Sequence, residues 1–171
     1  MNLVPVTFQH YAQILALNEE SVHVLSPLTL DRLVLLDSIA TYHKVAIVGV
    51  DVAAFLLAFG PGVPYDSPNY RWFAERCGEF LYIDRVVVRP QSRSQGLGAA
   101  LYRDVFEYAR RAGFKQVVCE FDVDPPNPAS EAFHRSFGFS EVGTQLVAGG
   151  TKRVSLQRAS LSRQASGSAD A

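Results

Sequence analysis

The sequence predicts a single α/β domain in which a central mixed sheet is flanked by helices on both faces. Three observations predict it. Runs rich in β-branched and aromatic residues alternate with segments of helical period. Residues 80–121 read as strand, glycine turn, long helix, strand, an order that demands a crossover and parallel pairing. The 171 residues are 48% hydrophobic and 19% charged, a globular composition long enough for one sizeable core.

Taken in order, residues 3–7 predict a short strand and 8–20 a helix with Tyr11, Ile14, Leu15 and Ala16 as its apolar positions. Residues 21–27 read as a loop, and Thr29 is placed to cap a second helix over 30–39. The β-rich runs 42–48 and 53–59 form a hairpin about Gly49-Val50-Asp51. Residues 60–78 hold three prolines and several aromatic rings; they read as a long irregular segment with a short helix near 71–76. A strand at 80–88 stops at Arg89-Pro90, where proline cannot donate to a ladder. The helix over 97–112 carries Leu101, Val105, Tyr108 and Ala112 as one stripe and ends at Gly113. The apolar run 116–121 reads as a buried strand. Asn127 then Pro128 form a cap and first-turn pair opening a helix that Gly138 closes. A final hairpin spans 139–147 and 151–157. The domain is expected over 1–158, with 159–171 a disordered tail lacking apolar periodicity.

A net charge of −1 gives no global field toward nucleic acid or an anionic membrane, so neither is expected as a partner. Locally, Arg85, Arg89, Arg93 and Arg103 gather around the glycine turn. Two cysteines make no disulfide framework and fit a reducing compartment. No basic stretch precedes an apolar one at the start, and no apolar run is long enough to span a bilayer, so a soluble cytoplasmic protein is expected. The histidines His10, His23, His43 and His134 show no metal-ligand spacing, and no metal is expected.

The turn Arg93-Ser94-Gln95-Gly96-Leu97-Gly98 carries the first functional signal. Glycines there allow close approach of backbone to a ligand, and a helix opening behind it directs unpaired N–H groups and a positive dipole end at an anion, most often a phosphate. A Walker loop is excluded because no Gly-Lys-Ser/Thr follows, and a dinucleotide fingerprint because the acidic residue further on is missing.

Two segments together resemble the GNAT superfamily of N-acetyltransferases: Val86-Val87-Val88-Arg89-Pro90 with Arg93-Ser94-Gln95-Gly96-Leu97-Gly98-Ala99, and Asn127 through Ser130, Phe133 and His134 to Phe137-Gly138-Phe139. The resemblance implies the acyl-CoA N-acyltransferase fold and transfer of an acetyl group from acetyl-CoA to an amine by direct attack in a ternary complex. It implies that the backbone of Ser94, Gln95, Gly96, Leu97, Gly98 and Ala99, beside Arg93, holds the coenzyme pyrophosphate. It further implies that Val86, Val87 and Val88 offer main-chain groups to the pantetheine arm and thioester, their side chains being core. Asn127 is read both as a helix cap and as an amide toward that arm, with Ser130 one turn on.

His134 stands where many relatives carry a tyrosine that protonates the departing thiolate. Free thiols titrate near ~8.5, tyrosine near ~10 and histidine near ~6.5, so a histidine there is mostly neutral at pH 7. Three roles stay open for it: acid, hydrogen-bond partner of the sulfur, or packing. A base must take a proton from the acceptor ammonium. Asp84, on a strand face with Tyr82, is the first candidate, and Glu120 and Asp122 on the next strand and Glu19 and Glu20 at the end of the first helix are others. Tyr65, Tyr70, Trp72 and Phe73 form an acceptor wall, a hydrophobic cover or a homodimer contact. The rival to an enzyme is a non-catalytic acyl-CoA-binding regulator on the same fold.

Overall fold

The computed structural model describes residues 1–21, 25–124 and 126–161. Seven strands form one sheet in the order β1-β2-β3-β4-β5-β7-β6: β1 Asn2–Pro5, β2 Tyr42–Val48, β3 Asp51–Phe59, β4 Phe80–Val88, β5 Gln116–Asp124, β6 Ser140–Val147 and β7 Lys152–Ser160. Neighbours are antiparallel except β4 and β5, the pair that the long crossover predicts to be parallel. The helices are α1 Tyr11–Glu19, α2 Leu30–Ile39, α3 Pro68–Arg76, α4 Leu97–Arg111 and α5 Pro128–Ser136. The predicted mixed sheet flanked by helices is therefore the fold observed.

One face of the sheet packs against α4, whose Leu97, Leu101, Val105 and Ala109 meet Leu56, Leu81 and Val117. Tyr102 and Phe106 of α4 join Phe133, Phe137 and Phe139 in an aromatic cluster with ring centroids 4.7–6.4 Å apart. Each such pair adds about 0.5–1.5 kcal/mol beyond its buried area. The predicted α4 stripe was too narrow: a core-facing helix buries a face of 100° or more, so Tyr102, Phe106 and Ala109 go inside while Ala112 stays exposed.

The opposite face is covered by α1, α2 and α3. Thr29 caps α2 by accepting from the Arg32 N–H, as its position predicts. Asp37 of α2 ties this layer together, accepting from Tyr11 Oη at 2.5 Å and from His43 Nδ1 at 2.6 Å. In α1 the buried positions are Ile14, Leu17 and Asn18 rather than Leu15 and Ala16. Asn18 tolerates burial because its amide donates to the Ser26 carbonyl and its Oδ1 accepts from Arg85.

The segment expected to be irregular contains a full helix, α3, opened by Ser67 and Pro68. Tyr70 and Phe73 are core residues, and Trp72 lies on β6, where a Cβ added to Gly143 would come within 2.9 Å of the indole. Only a glycine allows that approach. The last strand also runs further than expected: residues 159 and 160 belong to β7, Ala159 is buried, and the Leu161 N–H bonds the Lys115 carbonyl. A strand with one face on a sheet neighbour needs little apolar periodicity of its own, so the boundary at 158 was drawn early. His23, Pro125 and the tail from 162 lie outside the described residues.

Candidate active site

β4 and β5 pair only where Phe80, Leu81 and Tyr82 face Gln116, Val117 and Val118. Beyond that they part. The cause lies on the other side of β4, where Leu57 faces Arg85 but Ala58 faces Ile83, leaving Asp84 as an extra residue. Such a bulge bends its strand and re-aims side chains. The parted strands border a cleft of about 770 Å³.

The bulge shifts the alternation of β4. Tyr82 lies with the α3 layer and Arg85 bonds Asn18 of α1, on the same side of the sheet, while Val86 and Val88 pack on the α4 side. Two consecutive acid–base side chains, Asp84 and Arg85, thus serve one face. From Ile83 onward β4 keeps a partner only in β3, so main-chain groups on its β5 side face the cleft without a strand partner. Val86, Val87 and Val88 line this wall.

At one end of the cleft lies the glycine turn. Pro90–Ser92 makes one 3-10 turn, and then Ser94 and Gly96 both take left-handed backbone, with φ of 67° and 76°. Alternation of this kind gathers N–H groups on one side as an anion nest. Gly96 caps the 15-residue α4 with no side-chain bond to the first-turn amides of Leu97, Gly98 and Ala99. Those amides are free for a ligand. The Leu97 side chain is core, so only its backbone is available. Arg93 lines the cleft, whereas Ser94 to Ala99, which follow it, are not among the lining residues. Asn127 caps α5, its Oδ1 accepting from the Ser130 N–H at 3.1 Å, and both residues line the cleft. An anion nest and an uncapped helix start next to Arg93, with an open strand edge on the cleft wall, fit an acyl-coenzyme A: diphosphate at the turn, amide-bearing arm along β4.

His134 and Glu120 also line the cleft, and they differ. His134 is buried, with Nδ1 at 2.7 Å from the Ser130 carbonyl and Nε2 at 2.9 Å from Tyr102 Oη. A carbonyl only accepts, so the proton is on Nδ1 and Nε2 accepts from the Tyr102 hydroxyl. Burial lowers the pKa of His134, against a smaller opposing effect of the Ser130 carbonyl. Of the three roles left open for it, a neutral ring with both nitrogens engaged fits packing best. Tyr102, its partner, escaped notice because its position fell outside the stripe assigned to α4; a buried tyrosine needs a hydroxyl partner, and that requirement was the available clue.

Asp84, the first candidate base, is also committed. Its Oδ1 accepts from Tyr65 Oη at 2.5 Å and its Oδ2 from Arg85 Nε at 2.8 Å, in a pair whose side chains are 6% and 7% exposed. Asp122 is bound to Lys152 at 3.1 Å. Glu19 and Glu20 are exposed and do not line the cleft. Glu120 remains. Its Oε1 accepts from Tyr82 Oη at 2.9 Å, while Oε2 is buried with no partner among the described residues. Burial, and then the charge of Asp84, push its pKa up to about 8; the Tyr82 and Asn69 side chains pull in the opposite direction. Cys119, beside it, is buried and its thiol is pushed up by that burial, away from nucleophile chemistry.

Residues 35–139 match the acetyltransferase (GNAT) family over more than half the chain, and the chain belongs to that family. Among curated relatives, aminoglycoside N(6')-acetyltransferase type 1 of Klebsiella aerogenes is 32% identical over 95 residues, covering 53% of this chain and 61% of that one. The chain thus spans less than two thirds of that relative. Among solved structures, the ribosomal-protein-alanine N-acetyltransferase of Brucella melitensis is similar with a TM-score of 0.73 at 22% identity, covering 94% of this chain and all (100%) of that one. The Salmonella typhimurium protein yncA, solved with its cofactor acetyl-CoA, is similar with a TM-score of 0.73 at 18% identity, covering 99% of each chain. The family match and the curated relative agree with each other, and the structural neighbours support the fold.

Proposed function

We propose that this protein transfers an acetyl group from acetyl-CoA to a primary amine by direct attack within one cleft, in a single domain that includes β7. The observation that carries the proposal is a cleft with an anion nest at one end and, where the strands part, a carboxylate of raised pKa with one oxygen lacking a partner among the described residues. Acetyl-CoA supplies the acyl group activated as a thioester. The amides of Ser94 to Ala99 hold its diphosphate with Arg93 alongside, and the open edge of β4 at Val86–Val88 together with Asn127 and Ser130 orients its arm. Glu120 takes the proton that the acceptor ammonium must lose, with the Tyr82 hydroxyl holding the carboxylate in place. Asp84 fixes Tyr65 and Arg85 and shapes the acceptor wall without taking a proton. His134 holds the Tyr102 hydroxyl at the cleft wall.

The full engagement of His134 also favours a second reading, an acyl-CoA binder without turnover. One experiment separates the two. Acetyl-CoA should raise the melting temperature under both readings. Release of free thiol from acetyl-CoA in the presence of a panel of amines is expected only for the enzyme, and stabilisation without any amine-dependent thiol would establish the binder instead.

A further inference from the structure

The charged side chains that line the cleft form a nearly closed account. Arg32 of α2 bonds Asp66, Arg85 bonds Asp84, and Lys152 of β7 bonds Asp122. Two lining charges have no ion-pair partner among the described residues: Arg93, beside the glycine turn, and Glu120, between the parted strands. A cleft arranged this way has one place for an anion and one for a cation. Beside these charges the cleft is lined by Tyr65, Phe121 and Val154 together with the polar Ser67, Asn69 and Asn127.

We propose that the acceptor is an amine bearing a single positive charge, and that polycationic amines are poor substrates. This rests on the acetyl-transfer reading above and adds the substrate class. A second ammonium entering the cleft would meet carboxylates already neutralised by Arg32, Arg85 or Lys152, and would lose hydration without gaining a countercharge. The aminoglycosides named for the curated relative carry several ammonium groups, so this chain and that relative are expected to differ in acceptor.

The test compares kcat/KM, read as thiol release from acetyl-CoA, for four acceptors: phenethylamine, a dipeptide amide with an N-terminal phenylalanine, spermidine and kanamycin. The two monocations separate a small-amine source from a peptide N-terminus. Either of them exceeding both polycations by about tenfold or more supports the proposal, since an uncompensated buried charge costs at least that much. Polycations that match or exceed both monocations overturn it while leaving acetyl transfer standing. No thiol release with any acceptor, while acetyl-CoA still raises the melting temperature, overturns the acetyl-transfer reading and the proposal with it. A second variant keeps the charge account itself open to refutation. Arg32→Gln, at a partly exposed site, frees Asp66 and should raise the spermidine-to-phenethylamine ratio by about threefold or more, in line with one added charge contact; an unchanged ratio would show that the ion pairs do not set acceptor charge.

Discussion

The two ends of the cleft are built by different means. The end proposed for the coenzyme is made of main chain: left-handed residues Ser94 and Gly96, the uncapped start of α4 and the open edge of β4. The end proposed for the acceptor is made of side chains held by one another: Tyr65 to Asp84, Asp84 to Arg85, Arg85 to Asn18, Tyr82 to Glu120. Main-chain binding depends on where glycines fall and is insensitive to most side chains. Side-chain binding draws on β4, β5, α1 and the loop before α3, so any one change reaches several elements. The first kind of site suits a cosubstrate common to a family; the second suits an acceptor that differs between members.

The contrast can be broken most severely at Glu120. Glu120→Gln should lower kcat by about 10²–10⁴-fold, the usual share of a general base, with little change in acetyl-CoA affinity. In the parent protein kcat/KM should climb with pH through about 8 as the carboxylate ionises, and that limb should vanish in the variant. The stability sign is opposite. The folded pKa is raised above the unfolded value near ~4.3, so the contribution of Glu120 is present below that value and lost as pH rises toward about 8. Calorimetry at pH 9 should therefore find Glu120→Gln more stable than the parent.

Asp84→Asn comes next. Removing one member of a buried ion pair strands Arg85 and should cost about 3–5 kcal/mol in denaturant unfolding. A loss of activity with intact stability would instead make Asp84 the base and erase the division between the ends. His134→Phe leaves the Tyr102 hydroxyl unpaired, at about 1–3 kcal/mol, and turnover in the folded fraction should fall by less than tenfold; a Glu120-sized loss would restore the acid role. The smallest effect is expected of Gly96→Ala. Space for the added Cβ is open, but a φ of 76° costs a non-glycine residue about 1–2 kcal/mol. Weaker acetyl-CoA binding, by about tenfold at most, with unchanged acceptor KM would sharpen the separation of main-chain from side-chain recognition.

The same contrast explains what could be read in advance. The turn, α4, the Asn127 cap and the parallel pairing were all legible because glycine spacing, capping chemistry and periodicity are local signals. Glu120 was legible as a candidate from its place on the strand beyond the parting. Its rank above Asp84 was not, because that depends on Arg85 and Tyr65 occupying both oxygens of Asp84, contacts set by a bulge that leaves no mark in the sequence. The engagement of His134 was hidden for the same reason: Tyr102 approaches it from another helix, 32 residues away.

The strand order has a bearing on how the protein is made. β5 meets β4 only over Phe80–Tyr82, but it meets β7 along Gln116–Asp124. The principal partner of the strand that bears Glu120 is therefore the last of the described strands to be synthesised. Until residues 152–160 emerge, β5 is an open edge with apolar faces, and the wall opposite Val86–Val88 has nothing behind it. A chain shortened before residue 152 should therefore aggregate rather than persist as a partial acetyl-CoA binder.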